Sequence, residues 1–88
     1  MAVAKQVRYS GQVQGVGFRY TARGLAQGFP VSGHVRNLRG GQVELWVEGE
    51  PGDVEGFLEA LARTMAGYIR EQVVCDMEPQ ALIGFMIR

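Results

Sequence analysis

Near the start of the chain apolar and polar positions alternate: Val7, Tyr9 and Gly11 fall between Arg8, Ser10 and Gln12. A period of two suits a strand with one buried face and predicts a first strand over residues 5–13. After the glycines at 15 and 17 the period changes. Phe18, Ala22, Leu25, Ala26 and Phe29 recur at spacings of four, three, one and three, which is the apolar stripe of a helix. Gly28, with Pro30 just beyond, supplies the stop signal. Gly24 inside the stripe costs about 1 kcal/mol against alanine, so this helix depends on packing more than on propensity.

Residues 31–37 and 42–48 read as two strands joined by a short turn at Leu38 to Gly41, where Gly40-Gly41 gives a permissive backbone. Glu50-Pro51-Gly52-Asp53 opens a second helix. Its face is Val54, Phe57, Leu58, Leu61 and Met65, and Gly67 ends it. Two more strands follow, at 70–78 around Val73 and Val74 and at 83–88 around Phe85 and Ile87, separated by Pro79. The order β-α-β-β-α-β with an extra C-terminal strand predicts an α+β, ferredoxin-like sandwich with two helices on one face of a mainly antiparallel sheet. A right-handed crossover makes the first two strands parallel, with the third between them. Their carboxyl ends then share one edge of the sheet.

Composition narrows the class. A chain of 88 residues, 47% apolar, supports one core, and a single domain over 1–88 is expected. Nine basic residues balance nine acidic ones, which argues against a grip on long nucleic acid, because that needs a cationic excess. Any bound anion is expected to be small. Cys75 is the only cysteine, so there is neither an intrachain disulfide nor a Cys/His cluster for zinc. Met1 to Gln6 precedes no apolar signal core, and no run of eighteen apolar residues exists. A cytoplasmic monomer that neither enters nor is anchored to a membrane is the expectation.

Between the first strand and the first helix lies Gly11-Gln12-Val13-Gln14-Gly15-Val16-Gly17-Phe18-Arg19. Glycines let successive backbone N–H groups converge on one point, and the positive end of the helix adds to the same field, so the loop is a candidate anion cradle. Taken alone, such a loop also reads as an ordinary strand-to-helix turn. Arg19 adds a planar fork of donors that stays charged at physiological pH. The Walker-type G-x-x-x-x-G-K-[ST] spacing is absent. Asn37, closing the second strand, is expected on the same sheet edge, about 10 Å away across one intervening strand.

Gly11 to Arg19 resembles the acylphosphatase signature G-x-V-Q-G-V-x-F-R, and Gly33-His34-Val35-Arg36-Asn37 resembles that family's second signature, G-x-V-x-N. The eighteen positions from Arg19 to Asn37 also match the family separation, and Val43-Glu44 and Phe85-Met86-Ile87-Arg88 are similar to its later strands. The resemblance implies a metal-free hydrolase of small acyl phosphates, releasing a carboxylate and inorganic phosphate without a cofactor. It implies that the backbone amides of Gln14, Gly15, Val16, Gly17, Phe18 and Arg19, with the Arg19 guanidinium, hold the phosphoryl group. Asn37 would orient the attacking water, the substrate would take up the water proton, and the Arg88 carboxylate would approach Arg19. Two departures stand out: the turn is Arg39-Gly40-Gly41 where the family often has Asp-Gly, and His34 replaces a common aromatic residue.

The chemistry fits these residue types. An acyl phosphate departs as a carboxylate whose conjugate acid has a pKa of about 4, so no general acid is needed. The demand falls on orienting water and stabilising charge on phosphoryl oxygens. Elsewhere the expectations are plain: His34 a solvent-facing strand residue, Cys75 a semi-buried packing residue without a base to activate it, and Arg23, Arg36 and Arg39 exposed solubilising charges. An RNA-binding module on the same fold is the rival from another class. Such modules stack bases on aromatics of the central strands, and that run is missing. A domain of a larger carbamoyl-transfer protein is the second rival; that the sequence stops at Arg88 favours the free enzyme.

Overall fold

Two short helices cover one face of a five-stranded sheet in a computed structural model that describes residues 1–88. The elements run β1 (Val3–Gly11), α1 (Phe18–Ala26), β2 (Val31–Asn37), β3 (Val43–Gly49), α2 (Pro51–Thr64), β4 (Ile69–Met77) and β5 (Phe85–Ile87). The strand order is β4-β1-β3-β2-β5. β3 pairs antiparallel with β1 and β2, so these two are parallel with β3 between them, as the crossover argument predicts. β4 joins β1 antiparallel, and β5 joins β2 as the one parallel pair. This is the ferredoxin-like arrangement.

Alternation assigns the two faces. Val7 and Tyr9 of β1, Val43, Leu45 and Val47 of β3 and Val35 of β2 point toward the helices. They meet Phe18, Ala22 and Ala26 of α1 and Val54, Phe57 and Leu61 of α2. The helical stripes legible in the sequence are therefore the packed faces. Gly33 is needed here by close approach: a Cβ would stand 1.8 Å from the Trp46 carbonyl oxygen.

Several boundaries differ from the sequence expectation. The first strand ends at Gly11 rather than residue 13, because the β1–β4 register shifts between Ser10 and Gly11 and releases Val13 into the core. The last strand is only Phe85–Ile87. Ala81 and Gly84, with φ of 56° and 74°, depart from extended geometry ahead of it, although the Gly84 carbonyl still accepts the Gly33 N–H at 2.9 Å. Cys75 is exposed rather than semi-buried, since its register opposite Gln6 puts it on the helix-free face of an edge strand.

β4 and β5 lie at opposite edges, so residues 78–84 must cross the sheet on its helix-free face. Glu48 ties this strap down. Its carboxylate, 4% exposed, accepts the N–H groups of Gln80 (2.9 Å) and Leu82 (2.6 Å) and the Trp46 indole N–H (2.9 Å). Burial alone would raise its pKa, but these donors outweigh burial and hold it below the ordinary 4.5. Stability from this carboxylate is thus full above pH 4.5 and lost as the pH falls through the lowered native value. Glu48→Ala, which orphans three donors, is expected to cost about 2–3 kcal/mol at pH 7. Urea unfolding at several pH values checks this; the variant should also lack part of the acid-induced loss.

Candidate active site

Gly17 creates the beginning of α1. It caps the helix in the left-handed region, φ 80° and ψ 18°, and Gly15 two residues earlier has φ 77°. Either position would strain an L side chain, although neither is crowded. No side chain caps this helix and its first turn carries no acidic residue. The first intrahelical bond is Thr21 N–H to the Gly17 carbonyl, 2.9 Å. The N–H groups ahead of it are left for an outside acceptor at the positive end of the helix.

Phe18 anchors this start. It is 1% exposed and packs on Tyr9 with ring centroids 4.9 Å apart. Burial pushes the Tyr9 phenol well above its ordinary pKa, so it stays protonated and uncharged beneath the loop. With Phe18 turned inward, Arg19 lies one position around the helix and is half-buried. The ion pairs of the chain involve neither Arg19 nor the Arg88 carboxylate.

Asn37 closes β2 and is exposed. It pairs with Val43, which pairs in turn with Tyr9, so the end of β2 stands level with the end of β1 across one strand. A recess of about 210 Å³ is lined by Val13, Gly15, Gly17, Phe18, Arg19, Tyr20 and Asn37. The two glycines, the arginine and the asparagine selected from sequence thus face one space. A larger hollow of about 610 Å³, around Ser10 to Gln12 and Gly67 to Arg70, contains neither Arg19 nor Asn37.

Other candidates lie elsewhere. Arg88 N–H donates to the Val35 carbonyl at 2.9 Å, which brings the last residue alongside β2; the expected approach of its carboxylate to Arg19 is not made as an ion pair. His34 is only half-exposed, because it stacks on Trp46 (6.1 Å, 16° between planes) and its Nδ1 is buried without a partner. Burial and then the Arg88 charge lower its pKa. Arg36 pairs with Glu44 at 2.9 Å, and the Arg23 guanidinium lies 5.2 Å over the Tyr20 ring. No group of three or more His, Cys, Asp or Glu residues is placed to hold a metal ion. No helix is long and apolar enough to cross a membrane.

Two features of this region were not anticipated from the sequence. Tyr20 lines the recess although 65% exposed, and its place beside Arg19 in the first helical turn was the available signal. The Gln14 side chain reaches the β2–β3 turn, a contact that no local pattern announces.

Known proteins resemble this chain along nearly its whole length. The acylphosphatase family model matches residues 5–86. The acylphosphatase of Methanospirillum hungatei is 40% identical over 78 residues, 89% of this chain and 85% of that protein. That of Lactiplantibacillus plantarum is 36% identical over 96% of each chain. Among solved structures, the acylphosphatase from Bacillus subtilis superposes with a TM-score of 0.88 at 26% identity, covering 100% of this chain and 99% of the other. On its fold, its paired glycine motifs and these relatives, the chain belongs to the acylphosphatase family of hydrolases.

Proposed function

We propose that the recess at the end of β1 and β2 hydrolyses the carboxyl–phosphate bond of small acyl phosphates, with the phosphoryl group held by Arg19 and the amides of residues 14–19 and water oriented by Asn37. The observation that carries this reading is the common lining: Gly15, Gly17, Arg19 and Asn37 border one recess at an uncapped helix N-terminus. An anion there receives backbone N–H groups, the helix field and a guanidinium that no carboxylate of the chain occupies.

The reaction needs little else. Water attacks phosphorus in line while the bond from phosphorus to the acyl oxygen breaks, and its electron pair leaves with the carboxylate. The water oxygen becomes part of inorganic phosphate, and a water proton passes to a phosphoryl oxygen. Asn37 cannot act as a base. Its carboxamide can accept from water and fix its direction, which suffices for a loose transition state with little early deprotonation. Arg19 and the amides stabilise the charge on the equatorial oxygens.

The recess holds no carboxylic acid or histidine to protonate an alkoxide leaving group; its one phenol, Tyr20, is 65% exposed, and the only histidine sits on the helix-free face of the sheet. Acetyl and benzoyl phosphate are therefore expected to be hydrolysed at the same rate with and without EDTA, and an alkyl phosphate monoester at least about a thousandfold more slowly. Phosphate release across this panel is the test. Loss of activity with the chelator, or comparable turnover of the alkyl ester, overturns the reading.

A further inference from the structure

We infer that the Gln14 side chain is a positioning residue: its carboxamide pins the phosphate loop to the β2–β3 turn and so sets where Asn37 stands relative to bound phosphate. This rests on the roles proposed above for Arg19 and Asn37.

Gln14 Nε2 donates to two backbone carbonyls, those of Leu38 and Gln42, both at 2.8 Å. Both hydrogens of the amide are thereby used, and two carbonyl acceptors fix which end of the carboxamide faces the turn. Leu38 follows Asn37 directly. Its own N–H donates to the same Gln42 carbonyl at 2.8 Å, so the base of the turn is closed from within and from the loop. Gln42 Nε2 also donates to Ser10 Oγ at 3.0 Å, which secures the turn to β1 just ahead of the loop.

The turn needs such support. Its tip is Gly40-Gly41, with φ of 87° and 93°, and it is exposed; glycines leave its backbone wide freedom. Asn37 is the last residue of β2, exposed, and adjoins this glycine-tipped turn. A displacement of about 1 Å in a group that orients a nucleophile can cost a hundredfold in rate. Gln14 is half-buried, so its two bonds are partly shielded from competing water. Substituting the side chain leaves the residue 14 backbone amide available to phosphate.

The test is a double-mutant cycle between Gln14→Met and Asn37→Ala, reading kcat and the inhibition constant of inorganic phosphate, with urea midpoints recorded for every variant. Gln14→Met is expected to lower kcat about tenfold while phosphate affinity stays within about twofold. In the Asn37→Ala background the same substitution should change kcat by less than about twofold, because the group being positioned is gone. Gln14→Glu, which sets a carboxylate against two carbonyl oxygens, should lose more than Gln14→Met. Equal fold-losses in both backgrounds, a loss carried by weaker phosphate binding, or unchanged kcat would overturn the inference. Full turnover by Asn37→Ala alone would instead refute the underlying reading of the site. If Gln14→Met does not fold, Gln14→Asn, one methylene shorter, takes its place in the cycle with the same criteria.

Discussion

Arg19→Ala is expected to lower kcat/KM for acyl phosphates by about a thousandfold. The guanidinium lines the recess and belongs to no internal ion pair, so its donors are available to phosphoryl oxygens in both ground and transition states. Arg19 is the only arginine that lines the recess. Arg36 is engaged by Glu44, and Arg23 lies over Tyr20. Arg19→Lys restores the charge without the fork and should recover only part of the loss. Steady-state kinetics on acetyl phosphate give the answer, and the unfolding free energy should change by no more than about 0.5 kcal/mol, because the side chain makes no ion pair within the chain. Turnover at the wild-type rate in a folded Arg19→Ala protein would remove Arg19 from the site.

Asn37→Ala is expected to lower kcat about a hundredfold with KM nearly unchanged. Asn37 is exposed at the end of its strand, and no hydrogen bond within the chain holds its amide. The loss therefore reports on water rather than on folding. Asn37→Asp separates two mechanisms. A carboxylate could take the water proton, yet it would stand beside a phosphoryl dianion and repel it. If orientation limits the reaction, the aspartate variant gains nothing over alanine and binds substrate less well; if deprotonation limits it, the aspartate rescues turnover.

Much of this arrangement could be read along the chain. Phe18, Ala22 and Ala26, and Val54, Phe57 and Leu61, recur at helical spacing because each helix has only one face to bury, and those residues are its buried ones. Residues 31–37 were bounded correctly because turn residues stand at both ends. The end of β1 was misjudged because Val13 keeps the alternation while the backbone has already turned at Gly11. Cys75 was placed too deep for a related reason. Val73-Val74-Cys75 is as apolar as a buried strand, and neither the face a residue takes nor the strand's place at the sheet edge can be read from its own composition.

The site divides in the same way. That Arg19 and Asn37 border one space was legible because glycine-bearing motifs mark both segments and the crossover places their ends together. The bonds of Gln14 to Leu38 and Gln42 and the strap on Glu48 were not legible. Each joins a side chain to backbone groups 24 or more positions away, and backbone acceptors and donors are the same at every residue.

Inhibition by inorganic phosphate, measured on the wild-type protein, Arg19→Ala and Asn37→Ala, tests the division of labour most directly. Asn37→Ala should keep its inhibition constant within about twofold while its turnover collapses, and Arg19→Ala should weaken phosphate at least about tenfold. Parallel weakening of phosphate in both variants, or unaltered phosphate affinity in Arg19→Ala, would contradict the account.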